Sequence, residues 1–186
     1  ELTAWGHEVS LELDVNDAVT IDAVRRFAPD LVVAPFLKRA IPEGVWTHVR
    51  CLVVHPGIVG DRGPSALDWA VQEGASHWGV TVLQANAEMD AGGIWATVEF
   101  DMRAASKGSL YRNEVTEAAV SALREALERI RQGQAPTALS SIAGTRGRLR
   151  PVMRQADRAI DWQNDPTEIV LRKQTERRNG QRVLEQ

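Results

Sequence analysis

Short apolar segments alternate with helical patterns along this chain, and that alternation limits its possible folds more than any other feature. Residues 31–34 (LVVA) and 51–54 (CLVV) are continuous apolar runs, as expected for strands that are covered on both faces of a sheet. Asn16 or Asp17 can cap a helix that runs through Phe27 with its apolar side chains on one face. Strands separated by helices predict an α/β fold with a doubly wound, mostly parallel sheet.

The same alternation continues as far as Gly133. Residues 65–73 and 109–132 have helical patterns, and residues 79–84 and 94–100 have the composition of strands. Gly133 then ends the longest predicted helix.

The first residues do not match the start of a doubly wound domain. Residues 1–5 indicate the end of a helix, and residues 8–13 (EVSLEL) indicate the strand that follows it. We therefore expect the first strand of the sheet to be missing. The predicted organisation is an N-terminally truncated catalytic domain over residues 1–133, a linker over 134–150 and part of a C-terminal subdomain over 151–186.

Composition narrows the class of protein further. The formal net charge of −3 argues against a broad nucleic-acid surface, and no apolar stretch approaches the length of a transmembrane helix. Cys51 is the only cysteine, so no internal disulfide can form, and its apolar neighbours are typical of a small buried hydrophobe. We expect a cytoplasmic protein that binds neither membranes nor nucleic acids. No spacing of His, Cys and acidic residues indicates a metal site.

Positive charge is concentrated near the end of the chain. From Arg146 to Arg182 there are ten Lys and Arg residues and only five acidic ones. One interpretation is a solvated tail or helix face, and the other is a surface that meets the phosphate groups of a ligand or of a partner domain.

Two polar residues follow predicted strands and could carry chemistry. Ligands of an open α/β sheet bind outside the carboxyl ends of its strands, which directs attention to the loops over residues 35–40, 55–64 and 85–93. His55 lies in the second loop and Asp90 in the third. An imidazole beside a carboxylate can be charged near neutral pH, so we expect these two side chains to meet at one cleft. Taken alone, the pair would equally suit a loop histidine with a structural role.

Five blocks in a fixed order resemble the folate-dependent formyltransferase family, which includes glycinamide ribonucleotide and methionyl-tRNA formyltransferases. In chain order they are residues 30–38 (DLVVAPFLK), 53–56 (VVHP), 62–63 (RG), 79–84 (GVTVLQ) and 89–92 (MDAG). The resemblance covers roughly residues 8–132. Residues 55–70 (HPGIVGDRGPSALDWA) and 148–162 are similar to the hydrogenase-maturation, or HypX-type, branch of that family.

The resemblance implies a role for each matched residue. His55 corresponds to the histidine that stabilises the oxyanion formed when the acceptor attacks the formyl carbon. Asp90 corresponds to the carboxylate that orients this histidine and receives or relays the proton. The formyl donor implied is 10-formyltetrahydrofolate. The walls that bind its pterin ring correspond to Leu37, Lys38, Ala40, Glu88 and Met89.

Val53 departs from the family pattern, which has Asn two residues before the histidine. Valine has no donor for an oxyanion, so either another group supplies that hydrogen bond or the acceptor needs less help. A thiol acceptor fits the second option, because it attacks as a thiolate and has no ammonium group to deprotonate. The hydrogenase-maturation branch implies that the acceptor is coenzyme A. It also implies that a C-terminal hydratase-like domain, absent from these residues, releases carbon monoxide for a nickel–iron centre.

Two other functions are compatible with the sequence. The chain could formylate an amine on a sugar nucleotide or another small molecule, although Val53 argues against this. It could also be a folate-binding module without turnover. Comparing acceptors in a coupled assay distinguishes the two enzymes, and calorimetric titration with a folate analogue identifies a binding module.

The expected lack of a first strand predicts low stability. Neighbouring strands would lose backbone partners, each buried unpaired group costs about 1–3 kcal/mol, and a typical domain is stable by only about 5–15 kcal/mol. We expect residues 1–186 alone to unfold readily or to aggregate through exposed strand edges, and an N-terminally extended version to fold. Thermal unfolding of both versions tests this. An equally high, cooperative transition for the shorter version would contradict it.

Overall fold

The computed structural model describes residues 1–14, 16–37 and 39–181, with side chains described as far as residue 174. A four-stranded sheet in the order β1-β2-β3-β4 forms its centre. The strands are β1 (Leu31–Pro35), β2 (Arg50–His55), β3 (His77–Gln84) and β4 (Ile94–Asp101). The α-helices are α1 (Asp17–Phe27), α2 (Glu43–Trp46), α3 (Ala66–Glu73), α4 (Lys107–Leu110), α5 (Thr116–Arg131) and α6 (Thr167–Gln181). Short 3₁₀ turns cover Thr3–Trp5, Leu139–Ser141 and Ala156–Arg158.

The sheet is mixed, with one strand running against the other three. β1 pairs with β2 in parallel, whereas β2–β3 and β3–β4 are antiparallel pairs. It follows that β1, β2 and β4 share one direction, which confirms the α/β fold with a mostly parallel sheet. Because β3 is reversed, the carboxyl ends of β2 and β3 lie at opposite edges. The expectation that the loops after these two strands share one edge was therefore wrong.

The core lies between the sheet and the face of α5 that carries small side chains. Ala118, Ala122 and Ala126 recur every four residues, which places them on one side of the helix, and all three are buried. Their size lets α5 approach β3 and β4, where Val80 and Trp95 are almost completely buried. Burying one large apolar side chain typically contributes about 1.5–3 kcal/mol.

Most of the predicted helices are confirmed. The side chain of Asn16 accepts a hydrogen bond of 3.0 Å from the backbone N–H of Val19, so Asn16 is the residue that caps α1. The long helix begins slightly earlier than expected, at Lys107, and contains a π-helical turn over Tyr111–Val115. Gly133, with a φ of +70°, follows its end. None of the helices within the described residues is long and apolar enough to cross a bilayer.

The predicted strand over residues 8–13 is not present, and this prediction was wrong. The segment has no regular secondary structure, and the side chains of Val9, Leu11 and Leu13 are exposed. Alternating apolar residues form a stable strand only when another strand accepts their backbone hydrogen bonds. Within the described residues, β1 pairs with β2 alone, and the segment lies against neither strand as a ladder. Residues 1–5, expected to end a helix, contain only the short turn Thr3–Trp5.

Cys51 lies near the start of β2, and its burial determines its reactivity. The side chain is completely buried, and Sγ donates a hydrogen bond of 3.3 Å to the carbonyl oxygen of Val49. Burial raises the pKa of the Cys51 thiol to about 11, so very little thiolate exists near pH 8. We expect Cys51 to resist a maleimide reagent at pH 8 in the folded protein and to react quickly in denaturant. Mass spectrometry of the labelled protein measures this, and fast labelling under native conditions would contradict it.

Candidate active site

His55 ends β2 with its ring buried, and side chains from β3 hold the loop that follows it. The indole N–H of Trp78 donates to the carbonyl oxygen of Pro56 at 2.9 Å. The hydroxyl of Thr81 donates to the carbonyl oxygen of Gly57 at 2.8 Å. These two bonds fix the backbone directly after the histidine, so the ring has little freedom to move.

Asp90 belongs to a loop that begins at the opposite end of the strands from His55. Its loop, residues 85–93, begins beside the start of β2, where the N–H of Ala85 donates to the carbonyl oxygen of Cys51 at 2.8 Å. The loop then returns along β2, and Oδ2 of Asp90 lies 3.4 Å from Nδ1 of His55. The backbone N–H of Gly63 donates to the same oxygen at 3.1 Å. The predicted proximity of His55 and Asp90 is confirmed, although the route of the chain differs from the predicted one.

A second carboxylate, which the sequence analysis missed, lies on the other side of the ring. Oδ1 of Asp61 is 3.2 Å from Nε2 of His55, and the Asp61 side chain is completely buried. Its Oδ2 accepts a hydrogen bond of 2.9 Å from Nε of Arg150. Asp61 belongs to the GDRGP stretch that the sequence analysis matched to the hydrogenase-maturation branch. No local signal, however, links residue 61 to residue 150.

Residues 147–150 run beside the loop that carries Asp61. The N–H of Arg62 donates to the carbonyl oxygen of Arg148 at 3.1 Å, and the N–H of Arg150 donates to that of Arg62 at 2.9 Å. The two backbone segments approach so closely that position 63 has no room for a side chain. At Gly63, whose φ is +113°, an added Cβ would lie 2.2 Å from the carbonyl oxygen of Arg150.

Arginines of the basic stretch bind acidic residues of the same chain. Arg146 pairs with Glu99, and Arg148 and Arg150 both pair with Glu73. These ion pairs hold the stretch against β4 and α3. Neither of the two interpretations drawn from the sequence predicted them.

The predicted pterin-binding residues lie along one cleft. Leu37, Ala40, Glu88 and Met89 line it together with Asp90, and the fifth predicted residue, Lys38, lies outside the described residues. Val53 also lines the cleft, so the position at which the family has Asn presents an apolar side chain there. Nothing within the described residues groups three or more His, Cys, Asp or Glu side chains in a way that could hold a metal ion.

Comparison with known proteins identifies the family. Residues 12–127, more than half of the chain, match the family model described as Formyl transferase. This chain belongs to the formyl transferase family. It is 59% identical over 173 residues to the hydrogenase maturation factor HoxX of Bradyrhizobium diazoefficiens, covering 93% of this chain and 31% of that protein.

A solved structure and a more distant sequence relative show that the chain is more similar to the same branch of the family than to a methionyl-tRNA formyltransferase. HypX from Aquifex aeolicus, crystallised in complex with tetrahydrofolic acid, superimposes with a TM-score of 0.85 and 48% identity over 94% of this chain and 30% of that one. The methionyl-tRNA formyltransferase of Desulfotalea psychrophila is more distant, at 28% identity over 80% of this chain and 46% of that protein. The resemblance to the hydrogenase-maturation branch is thus confirmed. The chain spans about a third of the length of the HoxX and HypX proteins.

Glu73 at the end of α3 provides a pH-dependent test of the arginine contacts. Burial alone would raise its pKa, but hydrogen bonds and charge from Arg150 and Arg148 outweigh that effect and hold the pKa below its ordinary value of 4.5. A pKa that is lowered by folding means that the ionised group stabilises the fold above pH 4.5, and that this contribution is lost as the pH falls through the folded value. We expect Glu73→Gln to reduce the free energy of unfolding at pH 7, by at most about 1 kcal/mol, and to have less effect at pH 3. Urea unfolding at both pH values measures the difference, and an equal loss at the two would contradict it.

Proposed function

We propose that this chain transfers a formyl group from 10-formyltetrahydrofolate to the thiol of coenzyme A, as one step in assembling the carbon monoxide ligand of a nickel–iron hydrogenase. The observation that carries the proposal is the contact between His55 and Asp90 beside a cleft lined by the predicted pterin-binding residues. The similarity to hydrogenase-maturation proteins supports the biological setting, and with it the predicted cytoplasmic location.

The cleft suits a flat heterocycle with polar edges. Leu37, Ile41 and Leu83 supply apolar surface for the faces of a ring, and Asn86 and Glu88 supply polar groups. Sites for small molecules typically combine mostly apolar walls with a few polar groups that fix orientation. The similarity to a HypX protein crystallised with tetrahydrofolic acid supports a folate as the ligand.

The proposed reaction needs a donor for a charge that exists only briefly. The thiolate of the acceptor attacks the formyl carbon, a C–S bond forms, and the formyl oxygen becomes an oxyanion. Protonated at Nδ1, His55 donates a hydrogen bond to that oxyanion, and one such donor typically contributes about 3–4 kcal/mol to the transition state. The C–N10 bond then breaks, and N10 of the folate receives a proton through Asp90.

Val53 supports a thiol as the acceptor. The side chain beside the reacting group offers no amide donor, so stabilisation of the oxyanion depends more heavily on His55. A thiolate is a strong nucleophile at neutral pH and needs no base in the site to deprotonate an ammonium group. The related proteins are about three times as long as this chain, which leaves room for the hydratase-like domain that would release carbon monoxide from the formyl thioester.

Comparing acceptors tests this function. The full-length protein is incubated with 10-formyltetrahydrofolate and either coenzyme A or an amino sugar nucleotide, and mass spectrometry follows the formylated product. We expect formyl-coenzyme A. Formylation of the amine alone would establish an amine formyltransferase, and folate binding without turnover on either acceptor would establish a binding module.

His55→Ala separates catalysis from binding. We expect this change to lower the rate of formyl transfer by roughly two to three orders of magnitude while folate affinity stays nearly constant, because the oxyanion forms only after attack. His48→Ala is the matched control, since His48 is exposed and precedes the start of β2, whereas His55 is at the end of that strand. Isothermal calorimetry and single-turnover kinetics measure the two quantities. An equal loss of folate binding would make His55 a ligand-binding residue.

A further inference from the structure

We propose that Asp61 is a positioning residue that keeps a proton on Nε2 of His55, so that Nδ1 is the nitrogen that faces the reaction. The mechanism above does not use Asp61. This inference rests on the proposed function and names the group that prepares its central residue.

The ring of His55 lies between two carboxylates in different surroundings. The side chain of Asp61 has no exposed surface, does not line the cleft and faces Nε2 at 3.2 Å. The side chain of Asp90 lines the cleft and faces Nδ1 at 3.4 Å. Only the Nδ1 side of the ring therefore faces a residue that lines the cleft. In this geometry the buried carboxylate of Asp61 orients the ring, and the carboxylate of Asp90 lies in the cleft beside the reacting atoms.

The donors around Asp61 determine where the proton of a neutral ring lies. The guanidinium of Arg150 can only donate hydrogen bonds, and its Nε–H donates one to Oδ2 of Asp61. The other oxygen faces Nε2, and a buried carboxylate oxygen without a donor is more unfavourable than an unpaired neutral group. Oδ2 of Asp90 already accepts the N–H of Gly63, so it depends less on the ring. The N–H of the neutral imidazole therefore lies on Nε2.

The backbone is shaped to allow this contact. A Cβ at Gly57 would lie 2.4 Å from Nε2 of His55 and 2.9 Å from Oδ1 of Asp61, so any side chain there would push the ring and the carboxylate apart. The N–H of Asp61 donates to the carbonyl oxygen of Ile58 at 2.9 Å, which closes the turn that brings the carboxylate back to the ring.

Arg150 holds Asp61 from the other side. Its side chain is buried, its guanidinium carbon lies 5.7 Å from the ring centre of Trp78, and it also pairs with Glu73. With these contacts the guanidinium cannot turn away from Asp61 without losing its other partners. A continuous line of polar contacts thus runs from Glu73 near the surface to the ring of His55.

The consequence for catalysis is that only one ring nitrogen exchanges a proton. Nδ1 takes up a proton from water before attack, donates a hydrogen bond to the oxyanion and passes that proton through Asp90 to N10 as the C–N10 bond breaks. Nε2 keeps its proton throughout. A histidine in the opposite tautomer would already carry a proton on Nδ1 in its neutral form, and its Nε2 lone pair would face a carboxylate.

Asp61→Asn tests the proposal with almost no change in shape. Because Arg150 can only donate, the amide oxygen of Asn will turn to Arg150 and the amide NH2 will turn to Nε2, which must then accept. We expect the neutral ring to carry its proton on Nε2 in the wild-type protein and on Nδ1 in the variant. Nuclear magnetic resonance of the full-length protein with ¹⁵N-labelled histidine reports the protonated nitrogen, and His55→Gln identifies the signal.

Kinetics then distinguish positioning from a purely structural role. In a serine-protease triad the equivalent change leaves the geometry intact and lowers kcat by about 10⁴, so we expect Asp61→Asn to lower kcat by roughly 10²–10⁴ with KM for the folate unchanged. Glu99→Gln is the matched control, because Glu99 binds Arg146 of the same segment through an exposed ion pair and is outside the line of contacts that joins Glu73, Arg150, Asp61 and His55. We expect it to change neither the tautomer nor kcat by more than about twofold.

Three results would overturn the proposal: a proton on Nδ1 in the neutral wild-type ring, an unchanged tautomer in Asp61→Asn, or equal losses of kcat in Asp61→Asn and Glu99→Gln. The wild-type spectrum decides the matter even if the variant does not fold. If the wild-type protein formylates no acceptor, the proposed function fails, while the tautomer measurement still tests the role of Asp61.

Discussion

The completely buried carboxylate of Asp61 is the constraint on which the rest of the site depends. Removing a charge from water costs several kcal/mol unless hydrogen bonds and an opposite charge replace the lost hydration. Nε2 of His55 and Nε of Arg150 face its two oxygens, and Arg150 is 89 residues from Asp61 along the chain. To satisfy one carboxylate, the chain must bring residues 147–150 against the loop after β2. The position of the histidine and the path of this later segment are therefore consequences of the same requirement.

The cleft side of the site depends instead on the reversal of β3. Because β3 is antiparallel to β2, the loop over residues 85–93 starts at the far edge of the sheet and must return along β2 to reach His55. That return brings the backbone very close to the end of β3, since a Cβ at Gly92 would lie 1.7 Å from the carbonyl oxygen of Gln84. Asp90 itself has a φ of +54°, which lets the chain turn so that its carboxylate faces the ring.

The features that could be predicted from the sequence are those with a local signal. Apolar runs located the four strands, a capping side chain located the start of α1, and the ordered blocks located His55 and Asp90. The direction of β3 was missed because an apolar run has the same composition whichever way the strand points. The strand expected over residues 8–13 was wrong because alternation describes a face and does not supply a partner strand. The contact between Asp61 and Arg150 was missed because an ion pair across 89 residues leaves no pattern in either segment.

The close approach at Gly57 has a consequence for how variation in this chain should be interpreted. Gly57 carries no functional group, yet every other amino acid would place an atom within 2.4 Å of the histidine ring. In a saturation mutagenesis experiment this position would tolerate as few replacements as His55 itself. Gly63 would behave in the same way, because a side chain there would collide with the backbone of Arg150. Intolerance to replacement in this loop therefore marks the space that the catalytic side chains need, as well as the side chains that react.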